Sequence, residues 1–294
     1  MRYLHVPHAA AGITSSKTEK RPPSPETGRP DTARRFKKDI VEHHNRQSIM
    51  RRAFTLIIMT FVLTMPRTGV AQPLVFFDTV NPPFMYEYNG TVTGIYPRLI
   101  GEAFSIIGVT PKVAALPWGR LYAELTAGRG CVGGLYYTHE RDSRFLLTKA
   151  YFHEELLAVF SAESGREART MEDLAGLRVG LVSNWSYGDL FDEARRRGLF
   201  RPEFAGSEEQ NLLKVAGGRL DCTIVARASA IWLGERLGIT RKLHIGPTLD
   251  RRAIHMALPR SIENVHLRDR LNDAIDLLFK ANRQDAIAAE EVMR

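Results

Sequence analysis

Arg141 is a residue of this chain whose type and position suit the binding of a small anion. It follows a short glycine-rich strand predicted over residues 131–135 and lies in the charged stretch 139–144 (HERDSR). A guanidinium is planar and permanently charged, so it can hold a carboxylate through two parallel hydrogen bonds. The alternative is a solvated surface arginine, which is how we interpret the neighbouring Arg144.

Aromatic residues could supply the remaining binding energy. Micromolar affinity corresponds to about 8 kcal/mol, whereas a hydrogen bond to a charged group contributes about 1.5–3 kcal/mol. Apolar contacts would provide the rest, and Trp118, Phe84 and Tyr136 are the candidates. Core packing explains Trp118 equally well. Arg120 could be a second anion contact or a cation on a helix surface.

The segment 183–188 (SNWSYG) follows a predicted strand and opens a predicted helix. The Ser186 hydroxyl could donate to an anion, and the first amides of a helix are unpaired donors in a favourable dipole. Ser186 could also be an ordinary N-cap, and the two roles are compatible. Tyr187 belongs to the same candidate site.

Signals for catalysis and for metal binding are weak. Glu154 and Glu155 could include a general acid, but both are explained equally well as exposed residues of a hinge. The histidines lack HxxxH or CxxC partners, and neither a GxSxG segment nor a phosphate-binding glycine loop occurs. We therefore expect no catalytic residues, no metal and no cofactor.

Apolar runs and helical periodicity alternate along the chain. Strands are predicted over 74–77, 112–115, 131–135, 156–160, 178–182 and 221–225, and helices over 96–107, from Pro117 to Gly128, and over 187–197, 208–216 and 267–279. This order predicts an α/β fold with parallel, doubly wound sheets. The rhythm restarts after residue 156, which predicts two lobes with a cleft between them.

The apolar run 53–65 (AFTLIIMTFVLTM) behind Met50 and two arginines is typical of a secretory signal, with cleavage after Ala71. It is too short to cross a bilayer, which takes about 20 apolar residues. We expect residues 50–71 to be the signal peptide and residues 1–49 to be a disordered leader or an over-extended start. The expected product is periplasmic, soluble and without a lipid anchor, because no cysteine lies at the cleavage site.

The charge of the chain is concentrated in its first part. The chain carries 41 Lys+Arg and 33 Asp+Glu, a formal charge of +8, and residues 1–71 hold 13 of the basic and 5 of the acidic residues. The remainder has 28 of each, so we expect no nucleic-acid partner. Cys131 and Cys222 are the two cysteines, and we expect free, buried thiols.

An ordered set of short motifs resembles family 3 of the bacterial extracellular solute-binding proteins. The matching segments are 82–84 (PPF), 94–104, Leu121, Leu125, Gly128, 138–141 (THER), 151–152, 174–180 (LAGLRVG) and 218–221 (GRLD). The resemblance implies the type II periplasmic-binding-protein fold, two mainly parallel α/β lobes joined by two hinge strands. We expect residues 73–156 plus 250–294 to form lobe 1 and residues 157–249 to form lobe 2.

The resemblance also implies a site and one departure from the family pattern. Arg141 would bind the ligand carboxylate from lobe 1, and the loop at Ser186 would face it from lobe 2. Gly134 and Arg227 complete the candidate residues. Members that bind amino acids place an acidic residue where this chain has Ala226. The ligand is therefore expected to be an anion without an amine, or one whose amine is held by another group.

The resemblance implies a monomeric binding protein that captures a small carboxylate-bearing solute, an amino acid or related organic acid, for an ABC permease in the inner membrane. Two alternatives remain open. Cyclohexadienyl dehydratases resemble these receptors in fold, so an enzyme is one alternative. A ligand-sensing module of a membrane receptor is the other.

Overall fold

The computed structural model describes residues 72–293. The predicted leader and signal peptide lie outside the described residues. The strands are β1 Leu74–Phe77, β2 Val80–Asn81, β3 Met85–Tyr88, β4 Thr91–Thr93, β5 Lys112–Ala115, β6 Cys131–Tyr136, β7 Leu146–Leu147, β8 Phe152–Ser161, β9 Arg178–Val182, β10 Arg201–Ala205, β11 Cys222–Ala226 and β12 Leu243–Leu258. The α-helices are α1 Ile95–Ile106, α2 Trp118–Thr126, α3 His139–Arg144, α4 Asp189–Arg196, α5 Glu208–Ala216, α6 Arg227–Arg236, α7 Ile262–Lys280 and α8 Arg283–Val292.

A mixed sheet runs through both lobes in the order β10-β9-β11-β8-β12-β6-β1-β5, with β7 on β12. Strands β5, β1 and β6 pair in parallel at one end, and β10, β9 and β11 pair in parallel at the other. Between these two groups, β8 and β12 pair antiparallel with each other and with their outer neighbours. The expected α/β fold with mainly parallel lobes is confirmed.

The long strands β8 and β12 connect the two parallel groups. Their pairing extends from Leu243 opposite Ser161 to Ile254 opposite Phe152, with irregular register around Thr248. The predicted lobe boundaries at 156/157 and 249/250 fall inside these strands, and the division itself stays a prediction.

Several sequence-based elements are confirmed. The strands at 74–77, 112–115 and 178–182 and the helix at 208–216 have the predicted bounds. The helix after Pro117 buries Leu121 and Leu125, because these residues share one face.

Three predictions need correction. No strand was predicted between residues 77 and 112, but β2, β3 and β4 form a small antiparallel sheet there. Strand β12 was not predicted, because its polar middle conceals it. The closing helix was predicted to be last, but α7 is followed by α8, whose Ile287 is fully buried.

Cys131 and Cys222 are both buried and unpaired, as expected. Burial raises the pKa of each thiol to about 12. Within residues 72–293 there is no helix with the length and apolar character needed to span a bilayer.

Candidate functional site

Arg141 is fixed in place by the start of α3, which begins directly beyond the end of β6. Thr138 caps this helix, and its hydroxyl oxygen accepts the Arg141 amide at 3.1 Å. The Arg141 side chain turns back toward the strand, where Nη1 donates to the carbonyl of Tyr136 at 2.8 Å. Only 5% of the residue is exposed. A strand end and a helix cap thus hold one guanidinium in a fixed direction.

The Arg141 guanidinium is buried against aromatic rings. Its Cζ lies 5.4 Å from the ring centroid of Trp118 and 5.9 Å from that of Tyr122. Burial lowers the pKa of Arg141. None of the ion pairs among residues 72–293 includes it, so the charge is desolvated without a partner carboxylate. A buried cation of this kind is stabilised by a bound anion.

Arg141 lies at the wall of a cavity between the two lobes. The cavity, about 370 Å³ including its open mouth, is lined by Asn81, Met85, Tyr96, Trp118, Gly134, Leu135, Tyr136, Arg141, Glu154, Trp185, Ser186 and Ile254. Five of the predicted site residues are therefore brought together: Trp118, Gly134, Tyr136, Arg141 and Ser186. Gly134 leaves no room for a side chain, because a Cβ there would lie 2.6 Å from the Tyr96 ring.

Glu154 is a lining residue that sequence reasoning missed. It was a candidate general acid that an exposed hinge position explained equally well, and only 4% of it is exposed. The hydroxyl of Tyr96 donates to its Oε1, and the hydroxyl of Tyr136 donates to Oε2 at 2.5 Å. Burial, reinforced by the nearby Glu208 carboxyl, raises the pKa of Glu154 well above its ordinary value.

The alternation of β8 explains this error. Glu154 is buried, whereas Glu155 lies on the other face and pairs with Arg227 and Arg251. The strand was predicted to begin at residue 156 but begins at Phe152. Extending the period of two backward from Leu156 would have placed Glu154 on its face of the sheet.

In the second lobe, the Ser186 hydroxyl is already used within the loop. It donates to Asp192 and accepts the Gly188 amide at 3.2 Å. Tyr187 is buried, and its hydroxyl accepts the Val182 amide at 2.9 Å. These residues shape the loop, and Trp185 is the aromatic residue that this lobe adds to the cavity.

Three other predicted site residues lie away from the cavity lining. Phe84 stacks on Tyr96, with ring centroids 5.3 Å apart, in the core of lobe 1. Arg120 is on the exposed side of α2, where its Nε lies 2.8 Å from Glu124. Arg227 pairs with Glu155, also at 2.8 Å.

Two further carboxyl groups are buried in this region: Glu208 acts electrostatically on Glu154, and Asp78 acts on Glu208. Burial raises the pKa of Asp78 from 3.8 to about 6 and that of Glu208 from 4.5 to about 8. Among residues 72–293, neither Oδ2 of Asp78 nor Oε2 of Glu208 has a hydrogen-bond partner. Ala226 is buried at the end of β11. Glu154 is thus the one of these three acids that lines the cavity, while Ala226 is apolar.

The two lobes touch directly across the cleft. Nδ1 of His139, at the start of α3, lies 2.6 Å from Asp189, at the start of α4. The Ser229 hydroxyl donates to the carbonyl of Pro82 at 2.7 Å. The structure therefore has the lobes in contact around the cavity.

Comparisons with known proteins agree with this architecture. A sequence model of the bacterial extracellular solute-binding proteins, family 3, matches residues 74–290. The search of curated protein sequences gave no match.

Solved structures share the fold at low identity. A histidine kinase sensor domain with similarity to periplasmic binding proteins has a TM-score of 0.66 and 19% identity, covering 75% of this chain and 95% of that chain. The arginine-, lysine-, histidine-binding protein ArtJ from Geobacillus stearothermophilus has values of 0.63 and 18%, covering 76% and 96%. The ancestral amino acid-binding protein AncCDT-1, a precursor of cyclohexadienyl dehydratase, has values of 0.61 and 17%, covering 75% and 95%. The expected two-lobed periplasmic-binding-protein fold is confirmed.

Proposed function

Because the chain belongs to family 3 of the bacterial extracellular solute-binding proteins, we propose that it captures a small carboxylate-bearing solute between its lobes and delivers it to an ABC importer. The proposed solute is an amino acid or a related organic acid. The proposed site is the cavity lined by Trp118, Tyr136 and Arg141.

The observation that carries this proposal is the unpaired guanidinium of Arg141. It is buried, directed by the Tyr136 carbonyl and stacked on Trp118. A ligand carboxylate would restore the charge balance that burial removes, through strong charge-assisted hydrogen bonds.

Closure of the lobes would couple binding to delivery. The cavity takes residues from both lobes, so the closed form alone makes both sets of contacts with a ligand, and binding shifts the population toward it. We propose that the closed form is what the permease recognises. The apolar run at 53–65 supports export to the periplasm, where we propose that the protein acts as a soluble monomer.

Arg141→Ala tests the proposal. Isothermal titration of the purified protein against amino acids, organic acids and sugar acids should identify a carboxylate ligand. Loss of hydrogen bonds to a charged group corresponds to about 1.5–3 kcal/mol, so we expect affinity to fall by about 10- to 100-fold. Arg144→Ala is the matched control, because Arg144 lies on the same helix but is exposed and paired with Glu140. Equal affinity in both variants would remove Arg141 from the site.

A dehydratase is the second candidate, and the buried acid Glu154 in the cavity wall favours it. A carboxyl group that stays protonated near neutral pH can act as a general acid. Turnover of prephenate or arogenate by the purified protein would establish this activity, and its absence would leave the binding role.

A further inference from the structure

Two buried groups of opposite charge type border the same cavity. Arg141 donates to the backbone carbonyl of Tyr136, and Glu154 accepts from the phenolic hydroxyl of that same residue. They therefore lie at opposite ends of Tyr136. Among residues 72–293, no ion pair includes either of them. The cavity therefore borders a buried cation at one end and a buried carboxyl group at the other.

The near surroundings of Glu154 contain hydroxyls and another acid. Tyr96 approaches from α1 and Tyr136 from β6, and both donate to the carboxyl group. Glu208, at the start of α5, is close enough to disfavour its ionisation. Glu208 is not among the residues that line the cavity, so Glu154 is the carboxyl group that a ligand there can reach.

Two arginines close to Glu154 in the fold form ion pairs with other carboxylates. Strand pairing places Arg252 opposite Glu154, but its guanidinium pairs with Asp250 and packs over Gly188, where a Cβ would lie 2.3 Å from Cζ. On the far side of β8, Arg227 pairs with Glu155. The exposed His153, next in the chain, lies on that same far side.

We propose, building on the proposed function, that Glu154 recognises a protonated amine of the ligand while Arg141 holds its carboxylate. Glu154 thereby serves in place of the acidic residue that is absent at Ala226. The ligand is then an amino acid rather than an amine-free acid, and its amine reaches β8 rather than the end of β11.

The chemistry couples binding to proton release. Burial favours the neutral carboxylic acid while the cavity is empty, and an ammonium group placed beside it favours the carboxylate. The proton leaves Glu154 for solvent, and an ammonium–carboxylate pair forms within the cavity. An amine-free acid binding at Arg141 alone would not release this proton.

Matched probe pairs test the selectivity. Isothermal titration compares each of the common L-amino acids, 4-aminobutanoate and 6-aminohexanoate with its counterpart lacking the amine. For the best probe we expect at least a 10-fold preference for the amine. Glu154→Gln, which retains the shape of the side chain, should reduce that preference to less than 3-fold. Glu155→Gln is the control and should leave the ratio unchanged, because residue 155 faces away from the cavity.

Proton counting in buffers of different ionisation enthalpy gives a second readout that needs no variant. We expect the wild-type protein to release close to one proton per bound amine-bearing probe at pH 7 and none with the amine-free probe. A preference or a proton count that Glu154→Gln leaves unchanged would overturn the proposal, as would tighter binding of the amine-free acid. Carboxylates that bind through Arg141 without regard to the amine would leave the proposed function intact. Failure of every carboxylate to bind would instead reject the proposed function.

Discussion

The guanidinium of Arg141 rests on the face of Trp118, so the charge and the aromatic wall form one unit. The separation of 5.4 Å between Cζ and the ring centroid is within the range of a cation–π interaction. The ring also shields the cation from water, which makes the hydrogen bonds to an anion stronger.

Trp118→Ala should therefore weaken ligand binding. A cation–π contact is worth about 0.5–2 kcal/mol, which corresponds to a loss of affinity of about 2- to 30-fold, measured by titration with the best carboxylate probe. Trp232→Ala is the matched control, because Trp232 also lies beneath an arginine, with Cζ of Arg236 3.9 Å from its ring centroid, but outside the cavity. An equal loss in both variants would contradict a local role for Trp118.

For single residues, the sequence predicts which chemical groups are available better than it predicts where each side chain points. Trp118 and Arg141 were predicted from their type, their position and the family resemblance, and both line the cavity. Arg120 has the same side chain as Arg141, but it forms an ion pair with Glu124, which lies one turn further along α2. The face of Glu154 was not assigned because the predicted strand began at residue 156, whereas β8 begins at Phe152 and places Glu154 on the same face as Leu156.

Strand β6 is the element on which the cavity is built. Its glycines let aromatic rings approach the backbone, and Gly134 in particular lies against Tyr96 and Tyr151. Gly134 on β6 leaves room for the Tyr96 ring, and the Tyr96 hydroxyl donates to Glu154 on β8. The glycine therefore helps to position the acid.

Gly134→Ala should displace the Tyr96 ring and destabilise the protein by about 1–3 kcal/mol, as overpacking does in other cores. Unfolding by urea, followed by circular dichroism, measures this change. Gly119→Ala is the control, because the space around Gly119 on α2 is open and alanine favours a helix by up to about 1 kcal/mol. A Gly134→Ala variant as stable as wild type would show that Tyr96 is free to move.

Among the elements, β12 shows why part of the fold could not be predicted. Its sequence (LHIGPTLDRRAIHMAL) carries Gly246, Pro247 and three charged residues, so no apolar run or alternation marks the whole strand. It is a strand because β8 and β6 pair with it on either side. Tertiary pairing of this kind overrides local preference. By contrast, β1 and β9 have short apolar runs that are enough to predict them as strands.

For the whole molecule, the buried acids make stability depend on pH. Asp78 and Glu208 have pKa values raised to about 6 and about 8 in the folded protein. Between the ordinary value and the raised value, the folded state binds more protons than the unfolded state. The free energy of unfolding therefore falls as the pH rises through this window.

We expect the protein to be less stable at pH 9 than at pH 5, with each unit of pKa difference contributing about 1.4 kcal/mol per group. Urea unfolding at the two pH values measures the difference. Glu208→Gln should reduce the dependence between pH 5 and 8, whereas Glu209→Gln, on the exposed neighbour, should not. A free energy of unfolding that rises across this range would contradict the assignment of these carboxyls as buried acids.

The irregular register of β12 beside β8 has a mechanical consequence. The pairing skips residues between Ile245 and Thr248 and again before Asp250, so a few backbone groups there are outside the ladder. Departures of this kind bend a strand and increase its local twist. If one lobe rotates against the other, the bending would concentrate where β12 pairs irregularly with β8, and the hydrogen-bonded ladder on either side would stay intact. The lobes would then open by bending of the paired strands β8 and β12, without breaking the sheet that connects them.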